Sequence, residues 1–224
     1  MKKLEPSASS AQALVRYLME RGLAGVPPLS SAESLATEYL IDNGYEDNDQ
    51  RVESLINWET SKNFTTGFLT GLGGFITLPV AIPSALGASW VIQARMSGAI
   101  ARIYDHDLAD ERVRTMILLS LAGDTVKEAL QPMGIKVGNR LTERAVAQIP
   151  GRALVEVNKR IGIRLLTRAG ERGFVNFSKA VPVVGGVVGG ALDAVVCRAV
   201  GRTARELFKH PKLVSRPRRL STRE

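Results

Sequence analysis

A run of residues without a single charged side chain, residues 64–92, constrains the fold more than any other feature. Its 29 positions exceed the roughly 20 mainly apolar residues that a bilayer-spanning helix needs. However, Pro79 and Pro83 interrupt the run, and it contains several Thr, Ser and Gly residues. A proline inside a helix removes a backbone hydrogen bond and kinks or ends the helix. We therefore expect a Gly-rich helical hairpin at residues 64–104, charge-free through residue 92, with two helices joined at a proline corner.

A second unusual segment, residues 181–196, reads VPVVGGVVGGALDAVV and is apolar except for Asp193. Both segments place glycines at helical spacing. Glycine inside a helix costs about 1 kcal/mol relative to alanine, so its repeated use predicts helices whose backbones approach closely. The predicted helix-packing glycines are Gly67, Gly71, Gly74, Gly185, Gly186, Gly189 and Gly190. The sequence leaves open whether the hairpin packs in the protein core or enters lipid.

The rest of the chain also favours helices. Ser30 stands three residues before Glu33, and Asp47 stands three residues before Gln50, a spacing typical of helix N-termini. Alternating β-branched runs between hairpin turns are absent from the sequence. We predict an all-α protein with a single helical bundle-like domain at residues 30–209. An N-terminal helix and linker would precede it at residues 1–29, and a flexible basic tail would follow at residues 210–224.

The net charge of +8 is distributed unevenly along the chain. Residues 1–62 carry 6 basic and 10 acidic side chains, whereas residues 136–224 carry 19 basic and 6 acidic side chains. Such asymmetry predicts an anionic partner, which could be lipid headgroups, nucleic acid or the protein's own N-terminal third. Nucleic acid is disfavoured, because aromatic residues make up 5% of the chain and no known motif interleaves them with the arginines.

Two groups of basic residues fall at helical spacing. One is a ladder at four-residue intervals, formed by Arg160, Arg164, Arg168 and Arg172. The other lies opposite the apolar face of the last predicted helix and consists of Arg198, Arg202, Arg205 and Lys209. Each group is either a solvated face that pairs with the protein's own carboxylates or a face for anionic lipid.

Asp193 is predicted to lie inside the protein. At about 100° per residue, it shares a helix face with Gly186 and Gly189. A buried carboxylate without a partner is costly, so we expect a basic partner, Arg95 before Arg114. The pair would either fix the helix register or form a charged site in a transport or binding cavity.

Common enzyme signatures are missing, including a phosphate-binding loop, H-E-x-x-H, G-x-S-x-G and C-x-x-C. The sequence therefore predicts no catalytic, cofactor-binding or metal-binding residue. His106 lies between Asp105 and Asp107, and this group of side chains could hold a cation. A polar turn that caps the next helix is favoured instead. Cys197 lies among valines and alanines and is predicted to be an inert core thiol. A lone cysteine also excludes internal disulfides and fits a reducing compartment.

Several segments together resemble the bacterial EcsC family over about residues 57–209. They are GFITLPVAIP, QARMSGAIARIYDHDLADERVRT, GDTVKEAL, IPGRALVEVNKRIGIRLLTRAGERG and VPVVGGVVGGALDA, in that order. The family is named for a protein encoded beside an ABC transporter. The resemblance implies a helical fold and a link to membrane transport, and it supplies no catalytic residues.

We therefore expect a non-enzymatic accessory protein without cofactors, peripheral to the cytoplasmic face of the plasma membrane and linked to an ABC-type exporter. The N-terminus lacks the apolar run of a secretory signal, which fits this location. One alternative is a membrane-inserting protein whose hairpin leaves the bundle. Another is a hydrolase that uses Asp193, Asp124 and nearby arginines. The oligomeric state is not predicted.

Overall fold

The computed structural model describes residues 7–64, 84–122, 150–177 and 182–209. Within these ranges the chain forms seven helices and no strand, which confirms the all-α prediction. The helices are α1 (Ala8–Ala24), α2 (Ala32–Ile41), α3 (Asn48–Phe64), α4 (Ser84–Ile103), α5 (Glu111–Ala122), α6 (Gly151–Phe177) and α7 (Pro182–Phe208). The predicted positions Gly67, Gly71, Gly74 and Asp124 lie outside the described residues, as does the predicted tail.

Helix α4 forms the centre of the bundle. It contacts α1, α2, α3, α5 and α7, and every residue from 87 to 101 is buried. This second half of the predicted hairpin therefore lies in the protein core. Among the helices of the described ranges, none combines the length and the apolar character needed to span a membrane.

The other helices surround α4 in two groups. Helix α7 packs on α3, α4 and α5, whereas α6 packs on α1 and α5. Helix α1 lies in the predicted N-terminal segment and contributes Leu14 and Leu18 to the core. The predicted boundary between residues 29 and 30 falls in the turn between α1 and α2, and the division into domains stays a prediction.

Local side chains set the helix starts. Asp47 accepts the backbone N–H of Gln50 on its Oδ1 at 2.8 Å, as the spacing predicts for the start of α3. The start of α2 differs by one residue, because Ser31 rather than Ser30 accepts the N–H of Ser34, at 3.0 Å. A serine oxygen stabilises a helix N-terminus by satisfying a free backbone donor, so Ser31 is the cap of α2.

Single glycines let the helices approach at four crossings: Gly22, Gly98, Gly162 and Gly201. A Cβ atom added to Gly162 on α6 would lie 2.6 Å from the backbone oxygen of Ala11 on α1. A Cβ atom on Gly201 of α7 would lie 2.8 Å from Cγ1 of Ile56 on α3. Predicted Gly185, Gly186, Gly189 and Gly190 lie in α7, but their surroundings are outside the described residues, so their packing role stays a prediction.

Candidate functional site

The basic residues of α7 face acidic residues of α3. Arg205 contacts Glu53 at 3.0 Å, and Arg198 contacts the same carboxylate at 3.5 Å. Lys209, the residue that follows α7, contacts Asp49. Arg202, the remaining member of the predicted basic group, is exposed. The acidic N-terminal part of the chain therefore neutralises much of the charge that the sequence places on the last helix.

Asp49 is the centre of these contacts. The phenol of Tyr104 donates a hydrogen bond to Oδ1 of Asp49, and the ammonium of Lys209 donates to Oδ2. Burial opposes ionisation of Asp49, but the hydrogen bonds from Lys209 and Tyr104 and the charges of Lys209 and Arg205 outweigh it and lower its pKa. Burial, followed by the hydrogen bond to Asp49, raises the pKa of Tyr104. The cluster ties the end of α7 to α3 and to the end of α4.

His106 fixes the same end of α7 from another side. Its ring is buried, its Nε2 lies 2.9 Å from the carbonyl oxygen of Phe208, and the two rings are 5.2 Å apart. The neighbouring Asp107 accepts the backbone N–H of Ala109 in the turn before α5. Over the described ranges, no three His, Cys, Asp or Glu side chains are grouped closely enough to hold a metal ion. The segment around His106 thus forms a polar turn before α5, as the sequence favoured, with the His106 ring buried beneath it.

Arg95 is buried, with a relative exposure of 3%, but the carboxylate it contacts is that of Glu59 rather than the predicted Asp193. The Nη1 atom of Arg95 lies 3.3 Å from Oε2 of Glu59, which is fully buried. Ser30 completes the arrangement, since its carbonyl oxygen accepts from Nε of Arg95 at 2.6 Å. Asp193 is only partly buried.

The second predicted partner of Asp193, Arg114, is also engaged elsewhere. Its Nε donates to the carbonyl oxygen of Leu108 at 2.9 Å, and its Nη1 lies 3.6 Å from Glu111. Cys197, by contrast, is fully buried, as predicted for a core thiol.

The arginine ladder on α6 does not form one uniform face. Arg160 contacts Glu156 at 3.1 Å, and Arg164 is exposed. Arg168 turns inward and donates to the carbonyl oxygen of Ala122, the last residue of α5, at 3.2 Å. Four-residue spacing rotates about 40° per step around a helix, which explains this change of direction. The side chain of the fourth member, Arg172, is outside the described residues.

The outward side of α6 combines positive charge with an exposed apolar residue. Val155 is 63% exposed. Arg152 lies three residues before it and is exposed, and Lys159 lies four residues after it. Positions three and four residues apart are neighbours on a helix surface. Lys159 contacts Glu156 at 3.4 Å, so this one carboxylate serves both Lys159 and Arg160. The side of α6 formed by Arg152, Val155 and Lys159, here called the α6 surface, therefore keeps a net positive charge.

Sequence reasoning missed the acidic partners of the basic residues, above all Glu59, Asp49 and Glu53. The position of Glu59 did carry a signal. It follows Val52, Leu55 and Ile56 at the spacing of one helix face, and all three of these residues are buried. A carboxylate in line with a buried apolar stripe is itself expected to be buried.

Comparison with protein families identifies the chain. The model of the EcsC protein family matches residues 37–210, which is most of the chain. The protein therefore belongs to the EcsC family, and the match begins about twenty residues before the segment that the sequence motifs indicated. Neither a curated protein nor a solved structure matches the chain.

Proposed function

We propose that this protein is a non-enzymatic accessory protein that binds the anionic cytoplasmic face of the bacterial membrane through the α6 surface. The observation that carries the proposal is the exposed Val155 between the cations Arg152 and Lys159. A helix that lies on a membrane presents basic side chains to the headgroups and an apolar side chain to the boundary of the acyl chains. The α6 surface has both.

Charge composition supports α6 over α7 as the membrane-facing helix. Helix α6 contains six basic residues and two acidic ones. The basic residues of α7 are largely paired with α3 through Asp49 and Glu53. Cations that already contact carboxylates gain less from an anionic surface, because binding would have to replace those contacts. The exposed ladder residue Arg164 would add to the attraction on the same helix.

An ABC-type exporter remains the partner that we propose at the membrane. Support for it comes from the family alone, through its namesake encoded beside such a transporter. The inserting alternative receives no support from α4, because the buried residues 87–101 would have to leave the centre of the core. Exposing that much apolar surface to water on the way would be strongly unfavourable.

Vesicle flotation tests the proposal. The full chain should float with vesicles of phosphatidylcholine and phosphatidylglycerol, should not float with phosphatidylcholine alone, and should be released by salt. The double variant Arg152→Gln with Lys159→Gln should bind anionic vesicles about 30-fold more weakly, since each charge near such a surface contributes about 1 kcal/mol.

A matched control removes two exposed charges elsewhere, with Arg112→Gln on α5 and Arg202→Gln on α7. We expect this control to lose much less binding. An equal loss in both variants would show that net charge, and not the α6 surface, governs attachment. Absence of flotation with anionic vesicles would overturn the proposal, and flotation that resists salt would favour insertion instead.

A further inference from the structure

A cleft of about 380 Å³ lies between α1, α5 and α6. Sites for small molecules typically have volumes of about 300–1,000 Å³, so the cleft is large enough for a small ligand. Its lining has a basic part and an apolar part. The basic part consists of Arg16, Arg114 and Lys159. The apolar part consists of Val15, Met19, Leu118 and Val155.

The basic part retains unused hydrogen-bonding capacity. Arg16 is exposed, and none of the described ion pairs or hydrogen bonds involves its guanidinium. Arg114 has its Nε held by the carbonyl oxygen of Leu108, while its Nη1 makes only a long contact of 3.6 Å with Glu111. Glu20 and Glu111 also line the cleft, so the cations outnumber the carboxylates three to two among its described residues.

One polar atom of the wall also lacks a partner. Asn158 lines the cleft, and its Oδ1 is shielded from solvent without any hydrogen-bond donor. A buried polar atom in this state costs free energy. Among the described residues that line the cleft, none is aromatic, which disfavours a nucleotide, because proteins commonly hold bases by stacking them on aromatic side chains.

We infer that the cleft binds the phosphate-bearing head of an anionic amphiphile. The phosphate oxygens would accept hydrogen bonds from Arg16, Arg114 and Lys159, since arginine provides a planar pair of donors that matches phosphate. The first carbons of the apolar chain would lie on Val15, Met19, Leu118 and Val155.

The position of the cleft fits a lipid source for this ligand. Val155 and Lys159 line the cleft and also belong to the α6 surface. A membrane that docks on this surface would therefore bring headgroups to the mouth of the cleft. The inference rests on the proposed function in this respect, while binding of a dispersed amphiphile does not require a membrane.

Isothermal titration calorimetry on the full chain tests the inference with dihexanoyl phosphatidic acid as dispersed monomers. We expect saturable binding at one site, with weaker binding of inorganic phosphate and of dihexanoyl phosphatidylcholine. Arg16→Gln should raise the dissociation constant for phosphatidic acid about tenfold, because it removes a charge-assisted hydrogen bond. Val155→Asp should also weaken binding, since it adds a negative charge beside the phosphate.

Arg21→Gln is the matched control, because Arg21 is an exposed arginine on α1 outside the cleft. It should bind phosphatidic acid as the parent does, and thermal melts should show that all variants fold. Lack of saturable binding, or an Arg16→Gln variant that binds like the parent, would overturn the inference. Inorganic phosphate that binds as tightly as phosphatidic acid would overturn the amphiphile assignment and leave a site for free phosphate.

Comparison of vesicle flotation with calorimetry on the parent chain separates this inference from the proposed function. A parent chain that binds dispersed phosphatidic acid but not anionic vesicles would refute the membrane role and leave the cleft assignment standing. A parent chain that floats with anionic vesicles but binds no dispersed amphiphile would refute only the cleft assignment.

Discussion

The two ends of α3 hold carboxylates against basic residues in opposite surroundings. Near its C-terminal end, Glu59 is fully buried and contacts Arg95, whose relative exposure is 3%. Near its N-terminal end, the side chains of Asp49 and Glu53 are 30% and 39% exposed and contact residues of α7. The same chemical interaction is thus present once in the dry core and several times at the surface.

The comparison indicates that burial, rather than the number of ion pairs, determines how much the loss of a pair changes the free energy of unfolding. An exposed pair typically contributes about 0–1 kcal/mol, because water and salt screen it. Removal of one member of a buried pair typically costs about 3–5 kcal/mol, because the remaining charge stays in the core without a partner. The exposed pairs on α3 matter in another way, since they occupy cations of α7 and leave α6 as the more basic helix surface.

The largest expected effect comes from the buried end. Glu59→Gln should lower the free energy of unfolding by about 3–5 kcal/mol, because Arg95 would keep its charge without a carboxylate. Urea denaturation at neutral pH measures the change. The double variant Glu59→Leu with Arg95→Met should recover most of the loss, since it removes both charges from the core.

The matched control is Glu33→Gln, which breaks a contact between Glu33 on α2 and Arg102 on α4. That pair has a short distance of 2.6 Å, but its side chains are 55% and 35% exposed. We expect a loss below about 1 kcal/mol. A loss for Glu59→Gln as small as that for Glu33→Gln would contradict the role assigned to burial.

The sequence predicted the buried position of Arg95 but not its partner, for a physical reason. Apolar neighbours along one helix reveal that a charge is buried, because helix periodicity is local. Pairing between helices depends on how the bundle is assembled, and Glu59 is 36 residues away in the chain. The amphipathic stripe of α3 includes Glu59, so its burial could have been predicted, whereas its contact with Arg95 could not.

The glycines at close helix contacts show the same limit of prediction from local sequence. Clustered glycines in the sequence drew attention to residues 185–190, whereas the close contacts among the described residues occur at isolated glycines such as Gly98 and Gly162. An isolated glycine in a helix has no motif around it. What makes it necessary is the neighbouring helix, in the case of Gly162 the backbone of α1, and local sequence does not contain that information.

The second prediction concerns Gly201 of α7, which packs against Ile56 in the middle of α3. Gly201→Ala should lower the free energy of unfolding by about 1–3 kcal/mol, the usual cost of overpacking a core. The new Cβ atom would lie within 2.8–3.2 Å of three atoms of Ile56, so α7 would have to move away from α3. Gly151→Ala is the control, because a Cβ atom there would meet nothing within 4 Å.

The control Gly151→Ala, at the start of α6, should leave the melting temperature unchanged or raise it. Alanine favours a helix over glycine by up to about 1 kcal/mol. A Gly201→Ala variant that melts as high as Gly151→Ala would show that α7 can shift on α3 at no cost. In that case the ion pairs of Asp49 and Glu53, rather than close packing, would hold α7 in place.

The smallest effect is expected at the exposed end of α3, in the pH dependence of stability. The fold lowers the pKa of Asp49 below its ordinary value of 3.8. Ionised Asp49 therefore stabilises the folded state, fully so above pH 3.8, and this contribution is lost as the pH falls through the lower folded value. The contribution should be below about 1 kcal/mol, because the side chain is partly exposed.

Asp49→Asn removes this titration while it keeps an oxygen that can accept from Lys209 or Tyr104. The free energy of unfolding should therefore fall less in this variant than in the parent between neutral pH and a pH below 3.8. Glu38→Gln, an exposed change on α2, serves as the control and should retain the acid sensitivity of the parent. If Asp49→Asn lost as much stability in acid as the parent, the cluster around Asp49 would not couple α7 to α3. The cations of α7 would then be as available to an anionic membrane as those of α6, and the preference for α6 would lose its basis.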